Sequence, residues 1–264
     1  MSEFLHNVGF WLPGSDVDHL YPELTPQELV YGWAEYVGKD SVETSSVLGA
    51  IALGLPESKR VASIDLCEVV RDTHVELANS VGIQRDEIPH FGQYFTTLGV
   101  ERGDDARILT VLMNEVAYPP VDRIEEIQQI LSDWGSRDIL RVANTATLPG
   151  CEKVTLDFLT THLPDCFDGI IFPRNHFGGG KITKASALET VLDDLGITET
   201  ATTIVHVDDA PHHLDSMLGH MVERSGRSYT GIMPQYKGNT PPVHVVTASS
   251  PLEAFQIADI EFSF

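Results

Sequence analysis

The stretch 202–216, TTIVHVDDAPHHLDS, decides the fold that this 264-residue chain is expected to adopt. Residues 204–207, which are apolar apart from His206, are typical of a buried strand, and two adjacent acids, Asp208 and Asp209, follow at once. Parallel strands in α/β proteins deliver such residues to the carboxyl edge of the sheet, where these folds bind their ligands. Asp is also common in turns and at helix starts, so an ordinary surface turn is the alternative. The abrupt change from apolar residues to two carboxylates favours a cation site.

Two earlier stretches repeat this arrangement. The short strand candidate at 60–64, RVASI, is followed directly by Asp65, and the strand expected at 139–143 ends in Asn144 and Thr145. The carboxyl ends of neighbouring parallel strands lie at one edge of a sheet, so these polar side chains are expected to come together there.

The rest of the chain alternates helix and strand patterns. Pro119 and Pro120 introduce an amphipathic helix whose apolar face is Ile124, Ile127, Leu131 and Trp134. Further helices are predicted over 152–163, 183–196 and 213–224, with a last one opened by a capping box at 250–253. Further strands are predicted over 169–172, 229–233 and 243–246.

These elements predict an α/β fold with a three-layer, Rossmann-like parallel sheet. Residues 59–72 and 121–264 form the core, and the mostly helical pattern of 73–120 predicts a helical cap inserted over the sheet edge. Residues 1–58 read as an N-terminal helical extension, with helices over 25–37 and 42–53. This extension is expected to pack either on the main domain or on a partner chain. In the second case the protein would be a homo-oligomer.

Composition excludes several classes of protein. With 39 acidic and 17 basic residues the net charge is −22, so nucleic acid is not an expected partner. No stretch approaches the roughly 20 apolar residues of a membrane helix, and the N-terminus lacks the features of a signal peptide. Three cysteines without CxxC spacing suit the reducing cytoplasm, where we expect the protein to reside. The acidity fits either a high-salt cytoplasm or an ordinary acidic protein.

In their order, these motifs resemble those of the haloacid dehalogenase-like (HAD) hydrolase superfamily. That family has an aspartate after the first strand in a D-x-D-G-T/V pattern, then Thr or Ser after the second strand, a Lys at a helix start, and one or two Asp after a fourth strand. Here the stretch that begins at Asp65 is similar to the first motif and Thr145 to the second. Lys181 or Lys184 matches the third, and Asp208 with Asp209 the fourth. The resemblance runs from about residue 61 to the C-terminus and implies a HAD-like core.

The resemblance implies a phosphatase-type hydrolase that acts on a small phosphorylated metabolite. Asp65 would be the nucleophile that forms an aspartyl intermediate, and Mg²⁺ would bridge Asp65 with Asp208 or Asp209. Thr145 would donate a hydrogen bond to the phosphoryl group, and one of the two lysines would neutralise its charge. Asn144 and His212 are further candidates for substrate contact. His206 is expected to be a sheet residue that has a hydrogen-bond partner.

The chain departs from the family pattern in its first motif. Cys67 stands where phosphatases have the aspartate that acts as general acid and base, and Glu68 stands where they have glycine. A thiol is a poor proton donor to an alkoxide, so a buried structural cysteine is the alternative to a catalytic one. Two competing functions follow: a catalytically silent relative with a binding or assembly role, and a phosphate-binding domain of the response-regulator kind. The helical insertion after Asp65 argues against the second.

Overall fold

The computed structural model describes residues 43–45, 50–52, 60–73, 118–146, 152–171, 183–194, 197, 202–235 and 240–263. Its strands are β1 (Glu43–Ser45), β2 (Ala50–Ala52), β3 (Arg60–Ile64), β4 (Leu140–Asn144), β5 (Gly169–Ile171), β6 (Thr203–Val207), β7 (Ser228–Pro234) and β8 (Val245–Ala248). Its helices are α1 (Ile124–Ser136), α2 (Glu152–His162), α3 (Lys184–Asp194), α4 (Pro211–Leu218) and α5 (Pro251–Glu261). Helix α4 continues into a π-helical turn, Gly219–Arg224.

All eight strands form one sheet in the order β1-β2-β5-β4-β3-β6-β7-β8. The six strands from β5 to β8 are parallel, as the sequence predicts. Along the chain, β4 and β5 are added on one side of β3, whereas β6, β7 and β8 are added on the other. The strand order therefore reverses between β3 and β6, and a crevice for ligands is expected at the carboxyl ends of such a pair.

Helices cover both faces of the sheet. Alternate residues of β3 and β6 contribute to two separate hydrophobic clusters, because successive side chains of a strand point to opposite faces. One cluster packs the sheet against α1, α2 and α5, and the other packs it against α3 and α4. The predicted apolar face of α1 is confirmed, since Ile124, Ile127, Leu131 and Trp134 are all buried.

Capping of α5 also follows the prediction. The Ser250 hydroxyl accepts a hydrogen bond from the amide of Glu253, and Pro251 occupies the first helical position. The C-terminal helix is tied to α1 by Trp134, whose indole N–H donates to Asp259 at 2.9 Å. Trp134 also packs edge-on against Phe262, with 5.2 Å between the ring centroids.

The predicted helix over 42–53 is wrong. Residues 43–45 and 50–52 are short antiparallel strands, and β2 pairs in turn with β5 at the edge of the parallel sheet. An unpaired sheet edge offers a row of backbone donors and acceptors, and pairing with it overrides a weak local preference for helix. The other helix of the N-terminal extension, over 25–37, and residues 74–117 of the proposed cap lie outside the described residues.

The remaining differences are shifts of element boundaries. Strand β8 begins two residues later than predicted, and the single helix expected over 213–224 is an α-helix followed by a π-helical turn. Among the described residues, no helix has the length and apolar character required to cross a membrane.

Candidate functional site

Two distant acids meet where β3 and β6 end. The strands pair in parallel with Ile64 opposite Val207, and the amide of Asp65 extends this ladder by donating to the Val207 carbonyl at 2.9 Å. Asp65 and Asp208 therefore leave the sheet side by side. One carboxylate oxygen each from Asp65, Asp208 and Asp209 lies within 4.8 Å of the others, so the three acids could hold a metal ion.

Lys184 lies between two of these acids. It is the first residue of α3, its side chain is 2% exposed, and its Nζ is 2.7 Å from Asp65 Oδ1 and 2.6 Å from Asp208 Oδ2. Burial lowers the pKa of Lys184, but the carboxylates of Asp208 and Asp65 outweigh it and raise the pKa above the ordinary lysine value. The ammonium is therefore charged at neutral pH. Of the two candidate lysines, the structure places Lys184 beside the acids, and Lys181 lies outside the described residues.

Helix α3 begins at Lys184 because of the residue before it. The Thr183 hydroxyl accepts a hydrogen bond from the amide of Ser186 at 3.1 Å, which is a typical helix N-cap. The cap sets the start of the helix, and the packing of Ala185 and Leu188 against the sheet turns the first side chain towards the strand ends.

Asp208 is fully buried and surrounded by donors. Its Oδ1 accepts from the amide of Ala210 at 2.8 Å, and its Oδ2 accepts from Lys184 and from His206 Nε2 at 3.2 Å. His213 Nδ1 lies 3.1 Å from Oδ2 and 3.3 Å from Oδ1. Burial raises the pKa of Asp208, but Lys184 and His213 outweigh it and hold the pKa well below the usual range. Four donors match the roughly four lone-pair positions of a carboxylate, so Asp208 has little capacity left for a metal ion.

Asp209 is in the opposite situation. It is partly exposed, and its pKa is raised well above the usual range by burial and by the negative charges of Asp208, Asp65 and Glu68. A carboxylate crowded by other acids gains most from a nearby cation. Mg²⁺ prefers carboxylate oxygens, so Asp65 and Asp209 are chemically suited to hold it.

The loop that follows β3 turns sharply back on itself. The Leu66 carbonyl accepts hydrogen bonds from the amides of Val70 and Arg71, both at 3.0 Å. Glu68 is buried and has φ of 59°, in the left-handed region that favours glycine. The loop therefore adopts, at a residue that carries a side chain, a backbone conformation suited to glycine.

Cys67 is held by the same loop. Arg71, which is fully buried, donates from Nη2 to Cys67 Sγ at 3.2 Å, and its guanidinium lies 5.3 Å from the centre of the Tyr118 ring. Burial raises the pKa of the Cys67 thiol, although the charge of Arg71 opposes this. A neutral thiol of this kind is a weaker proton donor than a carboxylic acid at neutral pH.

Thr145 and Asn144 lie one strand away from Asp65, at the end of β4. The Thr145 amide donates to the Ile171 carbonyl at 3.1 Å, and the residue is fully buried. The Asn144 amide nitrogen donates to Ser63 Oγ at 3.3 Å and to the Lys184 carbonyl at 3.1 Å. These bonds tie Asn144 into the protein interior, and its role in substrate binding stays a prediction.

Of the two adjacent histidines, His213 contacts Asp208, and the role of His212 in substrate contact stays a prediction. The His212 side chain is exposed and its ring packs against that of His213 at an angle of 50°, with 4.1 Å between ring centroids, while His213 binds Asp208. Sequence periodicity could have separated the two, because the third residue of a helix and the second point in different directions. His206 is a further partner of Asp208, and its prediction as a hydrogen-bonded sheet residue is confirmed. No protein-family model matches the chain and no curated protein matches it, so the function proposed here depends on the geometry of these side chains.

Proposed function

We propose that this protein is a HAD-like hydrolase that uses Mg²⁺ and Asp65 to act on a small phosphorylated metabolite. The observation that carries the proposal is the meeting of Asp65, Asp209 and Lys184 at the carboxyl ends of β3 and β6. A nucleophilic carboxylate, a second acid that could help to hold a cation and a buried ammonium are the groups that phosphoryl transfer through an aspartyl intermediate needs.

Asp65 would be the nucleophile. One of its oxygens, Oδ1, is held by Lys184 at 2.7 Å, which leaves Oδ2 to attack phosphorus. Lys184 stays charged and would neutralise the negative charge that builds on the phosphoryl group. Asp208 holds the ammonium in place from its other side. Thr145, at the end of the neighbouring strand, is the proposed hydroxyl donor to the phosphoryl group.

Asp65 and Asp209 would hold Mg²⁺. When bound, the ion neutralises the repulsion between the carboxylates and an anionic substrate and polarises the phosphoryl oxygens. The surroundings of Asp209 support this assignment, because the negative charges of Asp208, Asp65 and Glu68 add to burial in raising its pKa.

Cys67 favours a second function. The thiol has a raised pKa and is bound to Arg71, so it does not supply the proton that a phosphomonoesterase gives to its leaving group. One consequence is that substrates with good leaving groups, such as acyl or aryl phosphates, suit the site better than alkyl phosphates.

The alternative function is a catalytically silent HAD-like protein that binds a phosphorylated ligand or a partner without turnover.

Calorimetry with Mg²⁺ and beryllofluoride, a mimic of the phosphoryl group, tests the first function. The wild type should bind beryllofluoride only when Mg²⁺ is present, and Asp65→Asn should abolish binding. Asp133→Asn changes an exposed acid on α1 in the same way and should bind as the wild type does. Absence of binding to the wild type would remove the enzymatic function. Binding without turnover of any aryl or acyl phosphate would favour the silent relative.

A further inference from the structure

Two polar residues interrupt the apolar centre of the sheet. Ser63 on β3 and His206 on β6 are cross-strand partners, and both are fully buried. They alternate with residues of the first hydrophobic cluster, so they lie on the face of the sheet that α3 and α4 cover. Burying a hydroxyl and an imidazole costs free energy unless both are hydrogen-bonded, so their partners indicate what they do.

These partners close a ring of hydrogen bonds behind the site. His206 Nδ1 lies 2.9 Å from the Ser63 carbonyl oxygen and 3.0 Å from Ser63 Oγ, and His206 Nε2 donates to Asp208 Oδ2 at 3.2 Å. Lys184 Nζ donates to the same Asp208 oxygen at 2.6 Å. Asn144 completes the ring, because its amide nitrogen donates both to Ser63 Oγ and to the Lys184 carbonyl.

The ring holds Lys184 at both ends. Asn144 binds the backbone of Lys184 at the first residue of α3, and Asp208 binds its ammonium. His206 in turn holds the Asp208 carboxylate from inside the sheet, on the oxygen that Lys184 uses. A lysine side chain has four rotatable bonds, so an ammonium that must stay 2.7 Å from Asp65 benefits from being fixed at several points.

We propose that Ser63 and His206 are positioning residues, which orient Asp208 through this buried ring and thereby direct the ammonium of Lys184 onto Asp65. The effect of Ser63 and His206 on ligand binding rests on the proposed function, because a well-placed Lys184 matters most when a phosphoryl group binds at Asp65. The placement of Lys184 itself is measurable whether or not the protein is an enzyme.

The alternative is that Ser63 and His206 only stabilise the sheet. Substitutions of His206 that place an amide nitrogen near one of the two imidazole nitrogens distinguish a role in orienting Asp208 from a role in stabilising the sheet. In His206→Gln the side-chain amide takes approximately the position of Nε2 and still donates to Asp208. In His206→Asn the shorter amide takes the position of Nδ1 and keeps only the contact with Ser63. Val205→Ala is the control. It removes buried volume from the neighbouring position on β6, so it should lower the stability of the fold without removing any hydrogen bond of the ring.

NMR of the full chain with ¹⁵Nζ-labelled lysine measures the placement directly. The chain has only six lysines, and Lys184→Arg assigns the signal of Lys184. Ammonium protons that are buried and ion-paired exchange slowly enough with water to be observed at neutral pH, whereas those of exposed lysines do not. We expect a protected Lys184 signal in the wild type, His206→Gln and Val205→Ala. We expect proton exchange at least tenfold faster in His206→Asn and Ser63→Ala.

Binding of beryllofluoride with Mg²⁺ should follow the same order, with affinity at least tenfold weaker in His206→Asn and within threefold of wild type in His206→Gln. The proposal is overturned if His206→Asn and Ser63→Ala leave the Lys184 signal unchanged, or if Val205→Ala shifts it as much at an equal loss of melting temperature. If the wild type binds no beryllofluoride, the proposed function fails, and the NMR result still decides the role of the ring.

Discussion

The amide of Asp65 donates a hydrogen bond of 2.9 Å to the carbonyl oxygen of Val207. This bond continues the ladder between β3 and β6 by one residue beyond the end of the strands, and so it places Asp65 beside Asp208. A crevice for ligands is expected at the edge where parallel neighbours have opposite chain connections, and the acids lie at this edge. The backbone pairing of the two strands is therefore sufficient to bring the acids of the candidate site together.

Lys184→Met should destabilise the protein strongly. The substitution leaves Asp65 and Asp208 without the ammonium that both bind, and breaking a buried ion pair by removing one partner costs about 3 kcal/mol of unfolding free energy. Urea unfolding at pH 7 measures it. Arg137→Met is the control, because it breaks the partly exposed pair with Asp259 and should cost less than about 1 kcal/mol.

The cost of Lys184→Met should depend on pH. The pKa of Asp208 is held below its unfolded value of about 4, so its contribution to stability is fully present above that pH and is lost as the pH falls through the lower folded-state pKa. Without the ammonium of Lys184 the folded-state pKa of Asp208 should be higher in the variant, so the difference in unfolding free energy between wild type and variant should shrink as the pH falls from 7 to 3. A difference that stays constant from pH 7 to pH 3 would contradict this account of the ion pair.

Asp209→Asn should stabilise the protein at neutral pH. The folded-state pKa of Asp209 is raised, so its favourable contribution exists at low pH and is lost as the pH rises above the unfolded value of about 4. Removing the charge should raise the unfolding free energy at pH 7 by about 1 kcal/mol, as is common for acids kept for function. Thermal unfolding with and without Mg²⁺ tests both parts, since Mg²⁺ should stabilise the wild type and not the variant. A variant that is less stable than the wild type at pH 7 would show that Asp209 has a structural role.

Cys67→Asp should increase hydrolysis of an aryl phosphate. The substitution introduces a carboxyl group at the position that the proposed HAD-like function assigns to the general acid, and such a group contributes roughly a hundredfold or more to rate. Cys67→Ser is the control, because it changes the thiol without adding an acid. Steady-state kinetics on both variants measure the effect. If the wild type is already fast and Cys67→Asp slows it, the thiol is not the defect proposed here.

Glu68→Gly should stabilise the loop after β3. Glu68 has φ of 59°, a conformation that costs a residue with a side chain about 1 kcal/mol and costs glycine nothing. Glu68→Ala removes the charge and keeps the backbone cost, so Glu68→Gly should be the more stable of the two by about that amount. Chemical denaturation of the three proteins measures this. Equal stability of the Gly and Ala variants would mean that the loop relaxes when the side chain is lost.

The sequence by itself determined the parallel core and the identity of its acids. Short, mostly apolar runs predicted β3, β4 and β6, and the apolar face of α1 was read from its helical spacing, because these patterns depend on near neighbours along the chain. The acids at the strand ends were predicted for the same reason, since the carboxyl end of a strand is visible in the sequence. The cap at Ser250 is equally local.

Tertiary structure decided what each polar side chain does. Local sequence could not distinguish Asp208, which four donors surround, from Asp209, which faces other acids, because the donors come from α3, β6 and α4. It could not show that Ser63 and Asn144 belong to one ring, or that 43–45 and 50–52 pair at the sheet edge. These outcomes depend on contacts between segments far apart in the chain, and their free energies exceed the small local preferences of the residues involved.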